Sequence, residues 1–166
     1  MKVNDKQRIF SIVGRSGSGK TTLIEKLIRH YTSLAITVGV IKHTRHEIQP
    51  GAAGKDTDRF RRAGASGNMI TDGKDFVFAA AAEDTGPVAL ARRYFFDYGV
   101  VIIEGWKESD MPKLEVVGPS IEPPLFSQGI ANIKFIVSRR PIETDLPVYD
   151  TEDMTGITQA IENLML

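Results

Sequence analysis

The segment Gly14-Arg15-Ser16-Gly17-Ser18-Gly19-Lys20-Thr21 constrains this chain more than any other feature. It matches G-x-x-x-x-G-K-[ST], and its flanks fit. Ile9–Val13 before it is an apolar run of strand length. After it, Leu23, Ile24, Leu27, Ile28 and Tyr31 fall on one helical stripe. Glycines let the backbone turn tightly, so that successive N–H groups face an anion. The start of the following helix adds unpaired N–H groups and the positive end of its dipole. Lys20 is placed for β- and γ-phosphates, and the Thr21 hydroxyl for Mg²⁺. The segment from Gly14 through Arg15, Ser16, Gly17, Ser18 and Gly19 to Lys20 and Thr21 therefore predicts a polyphosphate site.

Such a site needs an acid at the end of a neighbouring strand. Val100–Ile103 is continuously apolar and ends in Glu104, as a strand buried on both faces does. Glu104 reads either as the group that holds a metal-bound or attacking water, or as a solvated strand-end acid. Asp56 follows the second apolar run, Ala35–Ile41, in the segment Gly54-Lys55-Asp56-Thr57. It reads equally as a residue folding over the γ-phosphate and Mg²⁺ and as a helix cap, with Asp58 the weaker choice. Lys42 and His43, directly after that run, are candidate anion contacts. His43 and His46 have H-x-x-H spacing, a weak metal signal here. Arg15 could reach phosphates of its own site or a partner's, as an arginine finger does. Trp106 reads as a stacking surface for a ligand or as a packing residue.

Strand-length and helix-length segments alternate, which predicts an α/β fold with a mostly parallel, doubly wound sheet. Asn68–Thr71 and Phe76–Ala80 flank Asp72-Gly73 and read as an antiparallel hairpin at one sheet edge. A helix is expected from Pro87 to Tyr98. A last one, capped by Asp150 or Thr151, carries Met154, Ile157, Ile161 and Leu164 on one face. The stretch 108–132, with four prolines, is expected to be a dimerisation arm or a lid. The 166 residues are expected to form one domain.

Composition narrows the function. Lys plus Arg and Asp plus Glu both number 21, so no basic surplus is available for a general hold on nucleic acid or membrane. Six Lys/Arg against three acids between Lys42 and Arg62 mark a local anion-binding region. With no cysteine, disulfides, thiolate metal sites and a thiol nucleophile are excluded. No apolar run approaches the ~18 residues of a membrane span. A soluble, cytoplasmic protein is the expectation.

Several further segments occur in one order: Ile41-Lys42-His43-Thr44, Gly54-Lys55-Asp56-Thr57, Arg61-Arg62-Ala63-Gly64-Ala65, Ile103-Glu104-Gly105-Trp106-Lys107 and Pro112-Lys113-Leu114-Glu115. With the phosphate loop, they closely resemble the MobB family of molybdopterin-guanine dinucleotide biosynthesis adaptor proteins. The resemblance covers roughly 9–117 well and the last third loosely. It implies a P-loop NTPase fold, GTP and Mg²⁺ as ligands, and weak GTPase activity. It also implies assistance to the guanylyltransferase that joins GMP to molybdopterin, contact with other molybdenum cofactor assembly proteins, and a homodimer with extended β segments between subunits. By position it implies phosphate contacts from Gly17, Gly19, Lys20, Thr21 and Thr22, with Asp56 and Glu104 on the magnesium side. Where family members often carry an acid after the strand at Ile133–Val137, this chain reads Ser138-Arg139-Arg140-Pro141, leaving Asp145 or Asp150 as substitutes for reading guanine. Two other classes compete: a small-molecule P-loop kinase, and a metal-insertion GTPase using His43 and His46.

Overall fold

The apolar runs at Ile9–Val13 and Val100–Ile103 lie side by side as strands of a parallel sheet. The computed structural model describes residues 7–48, 56–81, 86–119 and 122–164. In chain order these form β1 (Arg8–Val13), α1 (Lys20–Ser33), β2 (Val38–Lys42), α2 (Asp56–Arg62), β3 (Gly67–Thr71) and β4 (Phe76–Ala80). There follow α3 (Pro87–Tyr94), β5 (Val100–Glu104), β6 (Lys113–Val117), β7 (Ile133–Ser138), β8 (Val148–Tyr149) and α4 (Met154–Asn163). By contacts the chain divides into two compact units: Thr44–Thr85, and the remainder.

The larger unit holds a six-stranded sheet in the order β2-β5-β1-β6-β7-β8, and every pairing is parallel. Alternation along the strands sorts the core into two faces. Phe10, Ile12, Val100, Ile102, Leu114 and Val116 pack with Leu23, Leu27 and Tyr31 of α1 and Ile157 and Ile161 of α4. Ile9, Val101 and Ile103 pack on the other face with Ala91 of α3 and Met111. The sheet is therefore doubly wound, as expected. After β1 the chain crosses to one side for β2, and β6 later joins the other side. Ligands of such sheets bind at this reversal of strand order, beyond the strands' C-terminal ends.

Three boundaries differ from the sequence expectation. α3 stops at Tyr94 and not Tyr98, because Phe95 leaves the helix (φ −129°) to pack where Gly39 has no side chain. α4 is capped by Asp153, whose carboxylate accepts the Gly156 N–H at 2.9 Å. Asp150 instead accepts the Glu152 N–H one turn earlier, at 2.8 Å. β8, two residues beside β7, is too short for any periodicity to announce it.

The stretch 108–132 is not a free arm throughout. Its residues Lys113–Val117 are β6, an internal strand buried along its whole length between β1 and β7. The run after it is pinned by Glu115, whose two carboxylate oxygens accept the N–H groups of Leu125 (2.6 Å) and Phe126 (2.9 Å).

In the unit Thr44–Thr85, α2 contacts β3, and Asn68 Nδ2 donates to the Thr57 carbonyl at 3.4 Å. β3 and β4 form the expected antiparallel pair, but as a two-stranded sheet of their own and not as edge strands of the larger one. In the turn Gly73 takes positive φ (+89°) and Asp72 does not. Asp72 contributes its carboxylate, which accepts the N–H groups of Lys74 and Asp75 at 2.9 and 2.8 Å. Those bonds hold the Asp72 carboxyl below its ordinary range. Among the described residues no helix is long and apolar enough to cross a membrane.

Candidate functional site

The loop Gly14–Gly19 leaves β1 where strand order reverses and feeds directly into α1. Gly14 sits at φ +152°, and a Cβ there would lie 2.5 Å from the Val116 carbonyl oxygen of β6. Gly17 (φ +70°) and Gly19 (φ +98°) take left-handed backbone, which glycine adopts without a side-chain penalty. Gly19 is the N-cap of α1 and offers no side-chain cap. The first bond of the helical ladder runs from Leu23 N–H to the Gly19 carbonyl at 3.0 Å. The N–H groups of Lys20, Thr21 and Thr22 thus precede the ladder and are available to an anion. Ser16, Thr21 and Thr22 are exposed. The Ser18 hydroxyl oxygen is buried without a hydrogen-bond partner, an orphan that a phosphate oxygen would satisfy.

Lys20 folds back over the loop, and its ammonium donates to the carbonyls of Arg15 (2.7 Å) and Gly14 (3.3 Å). Burial lowers its pKa; Glu104 pushes it back up, and Lys107 and Lys42 lower it further. Lys20 thus feels one carboxylate, Glu104, and two other lysines. Lys42 and Glu104 pair in register across β2 and β5, with Nζ 3.6 Å from Oε2. The His43 N–H donates to the Glu104 carbonyl at 3.0 Å, and the His43 ring stacks on Trp106 at 4.5 Å and 24°. Trp106 itself stands at φ +55°, a conformation that costs a bulky residue about 1–3 kcal/mol.

The other candidates have partners of their own. Arg15 turns away from the phosphate cradle: its guanidinium pairs with Glu122 at 3.0 Å and donates to the Pro123 carbonyl at 3.2 Å. Asp56 is exposed, opens α2 in the Thr44–Thr85 unit, and pairs with Arg59 at 3.3 Å. Gly54 and Lys55 of its motif lie outside the described residues. Asp58 is the buried acid of α2, bonded to Arg61 (3.2 Å) and Arg62 (2.9 Å). His43 is stacked, and among the described residues no three His, Cys, Asp or Glu side chains group as metal ligands.

Beside the loop opens a cleft of about 480 Å³ that sequence reasoning only partly foresaw. It runs from Gly17–Gly19 and Thr22 past Val117 and Gly118 to Arg139, Arg140 and Thr151. Gly118 is a close-approach glycine, since a Cβ there would come within 2.6 Å of the Ser18 Cα; no motif signals it. Glu152 lies before the cap of α4 and bridges Lys26 and Arg139, at 2.7 Å each. Hydrogen bonds from Lys26 and then Arg139 hold its carboxyl below the usual range. The glycine loop is itself part of the lining of this cleft, so loop and cleft are continuous.

A parallel α/β sheet with this loop at its reversal point defines a P-loop nucleotide-binding protein. The comparisons narrow the class. The family described as molybdopterin guanine dinucleotide synthesis protein B matches residues 9–139, and the chain belongs to that family. It is 32% identical over 165 residues to the molybdopterin-guanine dinucleotide biosynthesis adapter protein of Haemophilus influenzae, covering 97% of this chain and 91% of that one. It is 25% identical over 171 residues to the adapter protein of Escherichia coli, covering 95% and 93%. The crystal structure of Bacillus subtilis MobB superposes with a TM-score of 0.73 at 22% identity, covering 93% of this chain and 96% of that one, a likeness of fold.

Proposed function

We propose that this chain is a cytoplasmic GTP-binding adapter that assists the guanylyltransferase attaching GMP to molybdopterin, with only weak Mg²⁺-dependent GTPase activity of its own. The observation that carries this reading is the cradle of Gly14–Thr22 continuing into the cleft at Arg139, Arg140 and Thr151. The donor set fits a nucleotide with magnesium. Lys20, the first-turn N–H groups and the orphaned Ser18 hydroxyl suit phosphate oxygens, while Thr21 and Glu104 offer the oxygens that Mg²⁺ accepts beside phosphate and water. Bound Mg²⁺ would neutralise charge on the phosphates. Lys42 and Lys107 add positive charge around Lys20 and Glu104.

Hydrolysis is expected to be slow. Arg15, the arginine nearest the phosphates in sequence, is bonded to Glu122, and no glutamine of the motif segments is placed to orient water. The homodimer implied by the family has a better candidate surface than 108–132. The β3–β4 hairpin exposes Met69, Ile70, Phe76 and Val77, each more than half accessible.

Calorimetric titration with GTP, ATP and GDP, with and without Mg²⁺, tests the reading. Wild type is expected to bind GTP most tightly, and Lys20→Ala to lose at least about tenfold. Equal affinity in Lys20→Ala overturns it. Phosphate transfer to a small acceptor faster than to water would favour the kinase class instead.

A further inference from the structure

Two costly features sit on one loop, 105–113. Trp106 holds its left-handed backbone, braced by the His43 ring on one side and by the Ser109 hydroxyl donating to its carbonyl at 3.0 Å. The Lys113 ammonium is fully buried and spends its donors on carbonyls of the same loop and its neighbour: Ser109, Met111 (3.2 Å) and Ala131 (3.0 Å). A buried charge and a strained aromatic persist only where surrounding structure over-determines them, and such strain clusters at ligand sites. Here both shape the wall of a second cleft, of about 690 Å³. It shares no lining residue with the nucleotide cleft and lies on the sheet face opposite α1.

The chemistry of this cleft is specific. Ile9, Pro87 and Met111 give an apolar floor, and the Trp106 indole gives a flat aromatic wall. Arg92 of α3 lines it too, as do Glu108 and Asp110 of the loop. A flat ring, a donor-bearing edge for a carboxylate and an anionic arm for a guanidinium answer that set. A 2-amino-4-oxopyrimidine-fused ring with a phosphate arm has all three, and both pterins and guanine nucleotides carry it. We propose that the cleft beneath Trp106 is a second ligand site that takes a phosphorylated pterin. The proposal deepens the reading above, in which the guanine nucleotide occupies the phosphate loop and the pterin is the other half of the product. Trp106 follows Glu104 by two residues, so the strand end that faces the phosphates leads directly into the pterin wall.

Trp106 is the sole tryptophan, so its fluorescence has one source, and calorimetry distinguishes binding in this cleft from an effect relayed through the His43 ring stacked on it. Wild type and Lys20→Ala are titrated with pterin-6-carboxylate by calorimetry and by Trp106 quenching. One saturable site in both proteins is the expected result. Arg92→Ala and Asp110→Asn should each weaken it about tenfold or more, while GTP titrations of the same two variants stay unchanged. GMP on Lys20→Ala, whose phosphate loop is disabled, separates the two ring sources: weaker binding than the pterin supports the assignment, and tighter binding reassigns the cleft to guanine and overturns it. The proposal also falls if pterin-6-carboxylate shows no saturable binding below about 1 mM, if binding disappears in Lys20→Ala, or if neither Arg92→Ala nor Asp110→Asn changes it. Failure of GTP to bind wild type, with pterin binding intact, would sink the nucleotide reading and leave this site standing.

Discussion

Lys113 and Glu115 stand two residues apart on β6, and both are buried with their charges satisfied by backbone. The sequence offers Pro112-Lys113-Leu114-Glu115 as part of a family resemblance; the structure gives the charged pair a task in shaping loops. Lys113 collects three carbonyls and Glu115 collects two N–H groups. Lys113→Met removes a buried charge, which returns some free energy, but strands three carbonyls. A net loss of about 2 kcal/mol is expected in urea unfolding. Burial pushes the Glu115 carboxyl above its ordinary value, against the pull of the Leu125 and Phe126 N–H groups and the charges of Arg15 and Lys107. A carboxyl raised on folding favours the native state when protonated. Its contribution is therefore complete below the unfolded value near 4.5 and is lost as pH rises through the folded one. Wild type measured against Glu115→Gln should thus gain relative stability on acidification from neutral pH toward that value. A difference that is flat across this range, or that falls on acidification, would contradict the buried carboxylate described here.

At the scale of elements, the phosphate loop and α1 were legible because local chemistry writes them. The loop needs glycines for its turns, and the helix needs one apolar stripe for its core face. The end of α3 was not legible. Pro87 and Gly99 read as opening and closing a helix that reaches Tyr98, yet Phe95 breaks away to fill the space above Gly39 on β2. A Cβ at Gly39 would lie 2.5 Å from the Phe95 ring, so Gly39→Ala is expected to cost about 1–3 kcal/mol. In a Phe95→Ala background most of that cost should vanish, and a double-mutant cycle by chemical denaturation reads the difference. Glu152 makes the same point. In sequence it is a helix-dipole acid; in the fold it ties α1 to the segment after β7 through Lys26 and Arg139. Its depressed carboxyl contributes stability above the unfolded value near 4.5, and that contribution is lost as pH falls through the folded one.

For the whole molecule, contacts divide the chain into two units. The reason lies in the hairpin. β3 and β4 carry Met69, Ile70, Phe76, Val77 and Phe78, yet all five stay exposed, and the pair forms its own sheet. A two-stranded ribbon with bare edges and apolar side chains is poorly stable by itself and invites pairing with another strand. Phe76→Ser combined with Val77→Ser is accordingly expected to shift the sedimentation coefficient toward the monomer, with GTP affinity unchanged. A monomeric wild-type chain would rule out this surface as the dimer contact.

The sequence by itself determined the parallel α/β class, the phosphate loop with Lys20, and Glu104 at the end of a buried strand. Each is set by local spacing and by which residues a buried strand or a tight turn tolerates. Tertiary structure alone decided that Lys42 pairs with Glu104, that Trp106 stacks on His43, that Arg15 turns to Glu122, and that Gly118 and Arg139 wall the nucleotide cleft. Those partners are far apart in the chain or belong to different strands, so only the strand order and register of the folded sheet bring them within reach.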